Sequence, residues 1–406
     1  MKAIVLNIGN EVLSGKVVNT NAAFLAQELA KIGVEVEKTV VVGDSEANIN
    51  QEIDRFKDGD CEILITTGGL GPTHDDLTKE VLMKNLHLEM ELNEGAKLIL
   101  DNYFHGQMAA CNLKQAFFPK DAVIIENHLG TADGAIVEQN HKIYIILVGP
   151  PFEMMPMVKE TVIPYLQKKA SVGFISKEYI VMGNGESFFE ERLAPFYQEF
   201  SELSLAPYAS LGKIRYQLIG LEKNRELMGK ADSRFRDLMA DYIISDQNEE
   251  IEEVLVHLLE SKHFTIAFGE SCTGGMLASK IINVPNASRV IHESLVTYSD
   301  ESKVRYLGVN PKTLQEYGAV STETVSEMAE GLFKNTQADV CVTVSGIAGP
   351  SGGSERKPVG LVHYAIKLGP KLFLENKVFQ GSRDLVRMKA TMWILYRVFK
   401  LIQNDK

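Results

Sequence analysis

The sequence predicts an α/β protein built of more than one domain, and three observations carry that expectation. From Ala3 to about Gln167, short β-rich runs alternate with amphipathic stretches, the pattern of a parallel sheet covered by helices on both faces. The texture then turns Glu-rich and Tyr-containing, and a second alternating unit begins near Phe264. At 406 residues the chain can hold two or three domains, each with its own core.

In order along the chain, strands are expected at 3–8, 34–42, 63–67 and 142–148. Between the first two, Asn19-Thr20-Asn21 offers N-cap oxygens for a helix running through Leu29, and Gly33 ends it. The stretch 170–249 gives one weak strand at 214–220 and a helix near 234–241, read as a small α+β connecting domain. Helical periodicity returns at 251–259, a strand follows at 264–268, and an amphipathic helix at 385–402 closes the chain. The borders are set at 1–169, 170–248 and 249–406.

Composition narrows the function classes. No apolar run approaches the roughly 18 residues that cross a bilayer, and the opening MKAIVLNIGNE lacks a cleavable signal pattern. Cys61, Cys111, Cys272 and Cys341 are scattered without metal-type spacing, which points to reduced thiols in a cytoplasm. A net charge of −12 repels polyanions and argues against nucleic acid as a partner. Small phosphate-bearing ligands stay open, because glycine-rich backbone and one or two arginines hold them.

The richest segment is Glu270-Ser271-Cys272-Thr273-Gly274-Gly275, which follows an apolar strand and precedes a helix at 276–282. Such a turn offers amides and short hydroxyls to an anion or a developing oxyanion; an ordinary N-cap would read the same. Tyr298-Ser299-Asp300-Glu301-Ser302-Lys303 ends a strand and places a lysine near a helix start. The positive helix end lowers a lysine pKa there, as a base for a serine hydroxyl requires; a solvated surface lysine is the plain alternative. Thr343, Ser345 and Gly346 open a glycine-rich run after another strand. Arg383 and Arg387 begin the last helix, as a phosphate clamp or as surface charge.

Taken in order, ESCTGG, YSDESK, GAVS (318–321), SGIAGPSGG (345–353), KPVG (357–360) and GSRDLVR (381–387) resemble the CinA C-terminal family over nearly all of 251–402. The resemblance implies an amidase that converts nicotinamide mononucleotide (NMN) to nicotinate mononucleotide and ammonia without a cofactor. Ser271 would be the nucleophile, Lys303 the base and Tyr298 an assistant. Glu270, Thr273, Gly274, Thr343, Ser345 and Gly346 would line the substrate site, with Arg383 or Arg387 on the phosphate. Cys272 is a second candidate nucleophile. The chain departs from the expected pattern at Gly269, Ser294, Asp300 and Ser345.

In the first unit, Thr66-Thr67-Gly68-Gly69-Leu70-Gly71-Pro72-Thr73-His74-Asp75-Asp76-Leu77-Thr78 follows a strand. Its glycines admit a phosphate or pterin, and its carboxylates suit a divalent cation or a helix cap. With Glu11 and Asp44 at other strand ends, the segment resembles the molybdopterin-binding three-layer fold at the N-terminus of CinA proteins. That branch implies hydrolysis of ADP-ribose with a divalent metal (Mg, Mn or Co). Glu11, Asp44, Gly68, Gly69, Asp75, Asp76 and Thr78 would form the site, and Asp44 and Asp76 would hold the metal. Asn10 and Asp133 depart from that pattern. The middle region, through Gly183-Asn184-Gly185-Glu186-Ser187, resembles a KH-like spacer without a basic GxxG loop. The family also implies a homodimer. A non-catalytic nucleotide or pterin sensor, or a partner protein in competence or DNA damage, is the competing expectation.

Overall fold

Five consecutive buried residues, Ile63–Thr67, form a strand whose continuous apolar character suits a position covered on both faces. In this computed structural model, which describes residues 1–169 and 174–405, that strand is central to the first of two compact units. The first comprises Met1–Ser176 with Ile219–Arg225, and the second Lys177–Leu218 with Glu226–Lys406. The border expected after residue 169 abuts 170–173, which lie outside the described residues.

The first unit is built on β1 (Lys2–Ile8), β2 (Glu35–Val42) and β3 (Ile63–Thr67), a small pair β4 (Met90–Leu92) and β5 (Phe117–Pro119), and then β6 (Val123–Ile125), β7 (Gly134–Gln139) and β8 (Lys142–Leu147). The main sheet has the order β2-β1-β3-β8-β7-β6. Its β2, β1, β3 and β8 run parallel, whereas β7 and β6 turn back antiparallel. The all-parallel expectation is corrected at that edge, where the Asn140-His141 turn, both residues at positive φ, closes a tight hairpin between β7 and β8. The helix Thr20–Lys31 starts as expected, with the Asn19 side chain accepting the Ala22 amide, and Gly33 adopts φ 70°.

The next sheet is formed by β9 (Phe174–Met182), β10 (Ser204–Ser210), β11 (Lys213–Leu221) and β12 (Ile243–Ser245), ordered β10-β11-β9-β12, and belongs to the second unit except for the strand ends 174–176 and 219–221. Three of those strands were not read from the sequence, since β10 is mostly exposed and its Pro207 and Ser residues mimic a loop. The helix expected near 234–241 spans Arg225–Met239.

A five-stranded sheet follows from β13 (Ile266–Glu270), β14 (Ile291–Val296), β15 (Val340–Gly346), β16 (Leu361–Leu368) and β17 (Lys371–Val378), ordered β14-β13-β15-β16-β17. Here β14, β13 and β15 are parallel, and β16 and β17 are antiparallel additions. The closing helix Arg383–Asn404 buries Val386, Ala390, Ile394, Leu395, Val398 and Ile402 in the core of this unit.

Candidate active site

Parallel strands deliver their carboxyl ends to one edge of a sheet, where ligand crevices form. Ser271 leaves β13 at that edge. Its amide donates to Val344 O on β15 at 3.0 Å, and the Thr297 amide after β14 donates to Glu270 O at 2.7 Å, so both neighbours hold the turn. A Cβ on Gly269 would meet Thr343 Cγ2 at 2.9 Å, which accounts for glycine at that position.

Gly274 and Gly275 take φ of 63° and 94°, the left-handed region that favours glycine. The fold places Glu270 differently from the expectation of a substrate contact. Its carboxylate is fully buried and accepts the amides of Gly275, Leu277 and Ala278 at 3.0, 3.2 and 2.9 Å. Glu270 therefore caps the helix Met276–Ile282 from inside, and those amides are already committed. The amides of Cys272 and Thr273 face the Cys272 thiol, and among the described residues no backbone carbonyl accepts them.

Lys303 arrives on the helix Asp300–Leu307, which Ser299 caps by accepting the Ser302 amide at 3.1 Å. The lysine is fully buried while Ser271 keeps 7% exposure. Its Nζ lies 3.2 Å from Ser271 Oγ, 3.0 Å from Thr297 O and 3.2 Å from Tyr298 O. Two carbonyls thus take two of the amine hydrogens, and the remaining tetrahedral direction faces the serine. Burial pushes the Lys303 pKa below the ordinary lysine value, against smaller opposing effects of Asp300 and Cys272. Burial pushes the neighbouring Cys272 thiol up to about 12, so it is a poor thiolate and Ser271 is the better-equipped nucleophile.

The other expected residues divide. Tyr298 gives Lys303 its carbonyl, while its hydroxyl accepts Arg383 Nη2 at 2.9 Å on an exposed ring. Arg383 also donates to Gly349 O at 2.9 Å. Arg387 grips the nucleophile turn, its Nε and Nη2 donating to Cys272 O and Thr273 O at 3.0 Å each, while Nη1 lies 3.6 Å from Asp384. Thr343 is buried and donates to Val325 O at 2.7 Å, a structural bond in place of the expected substrate contact. Ser345 is buried beside Gly346, and a Cβ on Gly346 would stand 3.0 Å from Cys272 Sγ. The Thr273 hydroxyl is buried and unpaired. Lys357 of the KPVG run donates to Tyr317 O and Val320 O at 2.6 Å each, pinning the GAVS turn.

The first unit has a crevice at the carboxyl ends of β1, β2, β3 and β8. About 560 Å³ in volume, it is lined by Glu11, Asp44, Gly68, Gly69, Asp75, Asp76 and Glu153, with Tyr103, Leu129 and Phe152 also on its walls. A Cβ on Gly68 would come within 2.1 Å of Ile8 O, and one on Gly69 within 2.3 Å of Thr78 Oγ1. Thr78 is buried and donates to Gly68 O at 2.8 Å, so it shapes the turn from behind. Lys114, which sequence reading missed, donates to Thr73 O at 2.6 Å and Asp76 O at 2.8 Å; nothing local in the sequence marks it. Asp133 accepts the Asn127 amide at 2.9 Å in a buried position, a structural use of that departure.

For a metal, the carboxylates fit one arrangement. Asp44 accepts the Asn10 amide at 2.9 Å, and Asp76 accepts the Thr73 amide at 3.0 Å and its hydroxyl at 2.6 Å. The Thr73 hydroxyl also holds the Asp75 carboxyl below its usual range. Among the described residues no three His, Cys, Asp or Glu converge on an ion. A hard cation would therefore take one or two of these carboxylates and complete its shell with phosphate oxygens and water.

Fold and site together define a two-unit α/β protein with a buried Ser–Lys pair at one sheet edge and an acidic crevice at another. Residues 248–402 match the family model described as "CinA C-terminal domain", and 4–168 match one described as "Probable molybdopterin binding domain". A "CinA-like protein" of Kosmotoga olearia is 40% identical over 403 residues, 97% of each chain. A Clostridium beijerinckii chain named for competence-damage induction is 41% identical over 399 residues, again 97% of each. The solved CinA structure from Thermoplasma acidophilum is 34% identical at a TM-score of 0.38, covering 40% of this chain and 97% of that one. The chain belongs to the CinA family.

Proposed function

We propose that the second unit is a nicotinamide mononucleotide amidase working by a Ser271–Lys303 pair. The observation that supports it is the 3.2 Å contact between a buried lysine amine and the serine hydroxyl. Neutral Lys303 takes the Ser271 proton as Oγ attacks the carboxamide carbon. The Cys272 and Thr273 amides are the donors available to the tetrahedral oxyanion. On collapse, Lys303 returns the proton to the departing nitrogen, ammonia leaves, and a nicotinoyl ester stays on Ser271. Water, deprotonated by Lys303, then attacks the ester carbon, and Lys303 returns that proton to Ser271 Oγ as nicotinate mononucleotide leaves. Arg383 and Tyr298, exposed at the rim, are placed for the phosphate and ribose. No metal takes part.

We further propose that the acidic crevice hydrolyses ADP-ribose at its pyrophosphate. A divalent cation on Asp44 or Asp76 would supply charge against the phosphate oxygens, while the Gly68-Gly69 turn admits the phosphates to the backbone. A cytoplasmic homodimer belongs to this reading. Its location fits four free cysteines and, among the described residues, no helix long and apolar enough to cross a membrane; its dimer rests on the family and is checked by light scattering. The test is a substrate panel with and without chelator. Ammonia release from NMN should be indifferent to chelation and ADP-ribose cleavage abolished by it; a panel with neither activity rejects both proposals.

A further inference from the structure

Beside the acidic crevice lies a smaller pouch of about 70 Å³ that shares Ile8, Glu11 and Gly149 with it. Asn7 and Asn21 line this pouch, at 2% and 9% exposure, and the side-chain oxygen of each is buried without a hydrogen-bond partner among the described residues. Both amides have fixed orientations. Asn7 Nδ2 donates to Val40 O at 3.1 Å, and Asn21 Nδ2 donates to Thr67 Oγ1 at 2.9 Å and Gly149 O at 2.8 Å. Turning either amide over would set its oxygen against a carbonyl. Asn7 and Thr67 are register partners on β1 and β3, so the two asparagines converge around one threonine. Val12, Val17 and Val18 supply apolar lining beside the polar Glu11, Asn19 and Thr20.

Two buried acceptors beside apolar lining call for a flat group bearing two N–H hydrogens. We propose that the pouch selects an exocyclic amino group on a planar nitrogen heterocycle whose phosphate-bearing part occupies the acidic crevice. Each hydrogen of the amino group meets one asparagine oxygen. An oxo substituent in the same place brings lone pairs against lone pairs and leaves at least one asparagine oxygen without a donor. Adenine and pterin rings share this chemistry. The inference rests on the first unit binding a nucleotide or pterin, but not on its hydrolysing one.

The test is calorimetric binding to the full chain of two matched pairs: AMP against IMP, and pterin against its 2-oxo counterpart lumazine. The amino member of at least one pair should bind tenfold or more tightly than the oxo member, and the preferred pair identifies the ring. Asn7→Leu and Asn21→Leu, which keep volume and remove the acceptor, should bring the preference to within about threefold, with thermal melting confirming the fold. Equal binding within both pairs by the unaltered protein overturns the inference, as does absence of binding by all four. So does a structure with AMP and pterin in which the pouch holds only water. If ADP-ribose is not cleaved but the amino preference stands, the hydrolase reading fails and the pouch survives. Cleavage of ADP-ribose and its hypoxanthine analogue at equal kcat/KM, with equal binding within both pairs, gives the reverse.

Discussion

The turn after β13 and the turn after β3 look alike in sequence, each a polar, glycine-containing run leaving a buried strand, yet they are finished differently. After β13 the polar groups complete one another: Glu270 caps the next helix, Arg387 grips the turn, and Lys303 meets Ser271. After β3 the turn opens on a crevice of about 560 Å³ whose carboxylates bond local amides and assemble no three-ligand set among the described residues. On the proposed reading, the first turn would carry its chemistry in its own side chains, whereas the second would need ligand and cation to complete it. Removing one residue should therefore silence the first, while removing the cation should silence the second.

Four variants break or sharpen that contrast. Ser271→Ala should lower NMN turnover by about 10⁴-fold or more, with the melting temperature nearly unchanged, since the hydroxyl serves only as a partner of Lys303. Lys303→Met keeps an apolar stem in a buried position and should cost about 10³-fold, within the range for a lost general base. Because the base acts neutral, kcat/KM of the unaltered enzyme should rise with pH through the lowered Lys303 pKa and level off above it. The variant should lose that limb, and a profile identical to that of the unaltered enzyme would assign the base elsewhere. Asp76→Asn should reduce metal-dependent ADP-ribose cleavage roughly 10–100-fold, in keeping with loss of one ligand, and leave ammonia release alone. Glu270→Gln removes the charge from a three-amide cap and should cost about 1–3 kcal/mol in denaturant unfolding; full stability would show the cap to be dispensable.

Much of this architecture could be read from residues alone. Apolar runs marked β1, β3, β8 and β13 to within a residue or two, because strands covered on both faces need uninterrupted apolar chemistry. Exposed β10 left no such mark, and β6 and β7, though apolar, are runs of only three and six residues that the sequence pattern did not separate from the surrounding turns. At the site, the motif order indicated Ser271 and Lys303, and the fold brings them together. The structural bonds made by Glu270, Arg387 and Thr343, which the sequence suggests as substrate contacts, could not be read from it. A buried cap, a brace across 115 residues and a strand hydroxyl on a helix carbonyl depend on tertiary placement, which residue type does not disclose. Asn7 carried no signal and Asn21 only that of an N-cap run, for the same reason, as their unpaired oxygens exist only once β1 and its neighbouring helix are packed.

The most direct measurement is rapid-quench mass spectrometry of the full chain during turnover of NMN. A nicotinoyl nucleotide ester on the peptide bearing Ser271, absent in Ser271→Ala, is the predicted result. An adduct on Cys272, or undiminished ammonia release by Ser271→Ala, would contradict the account.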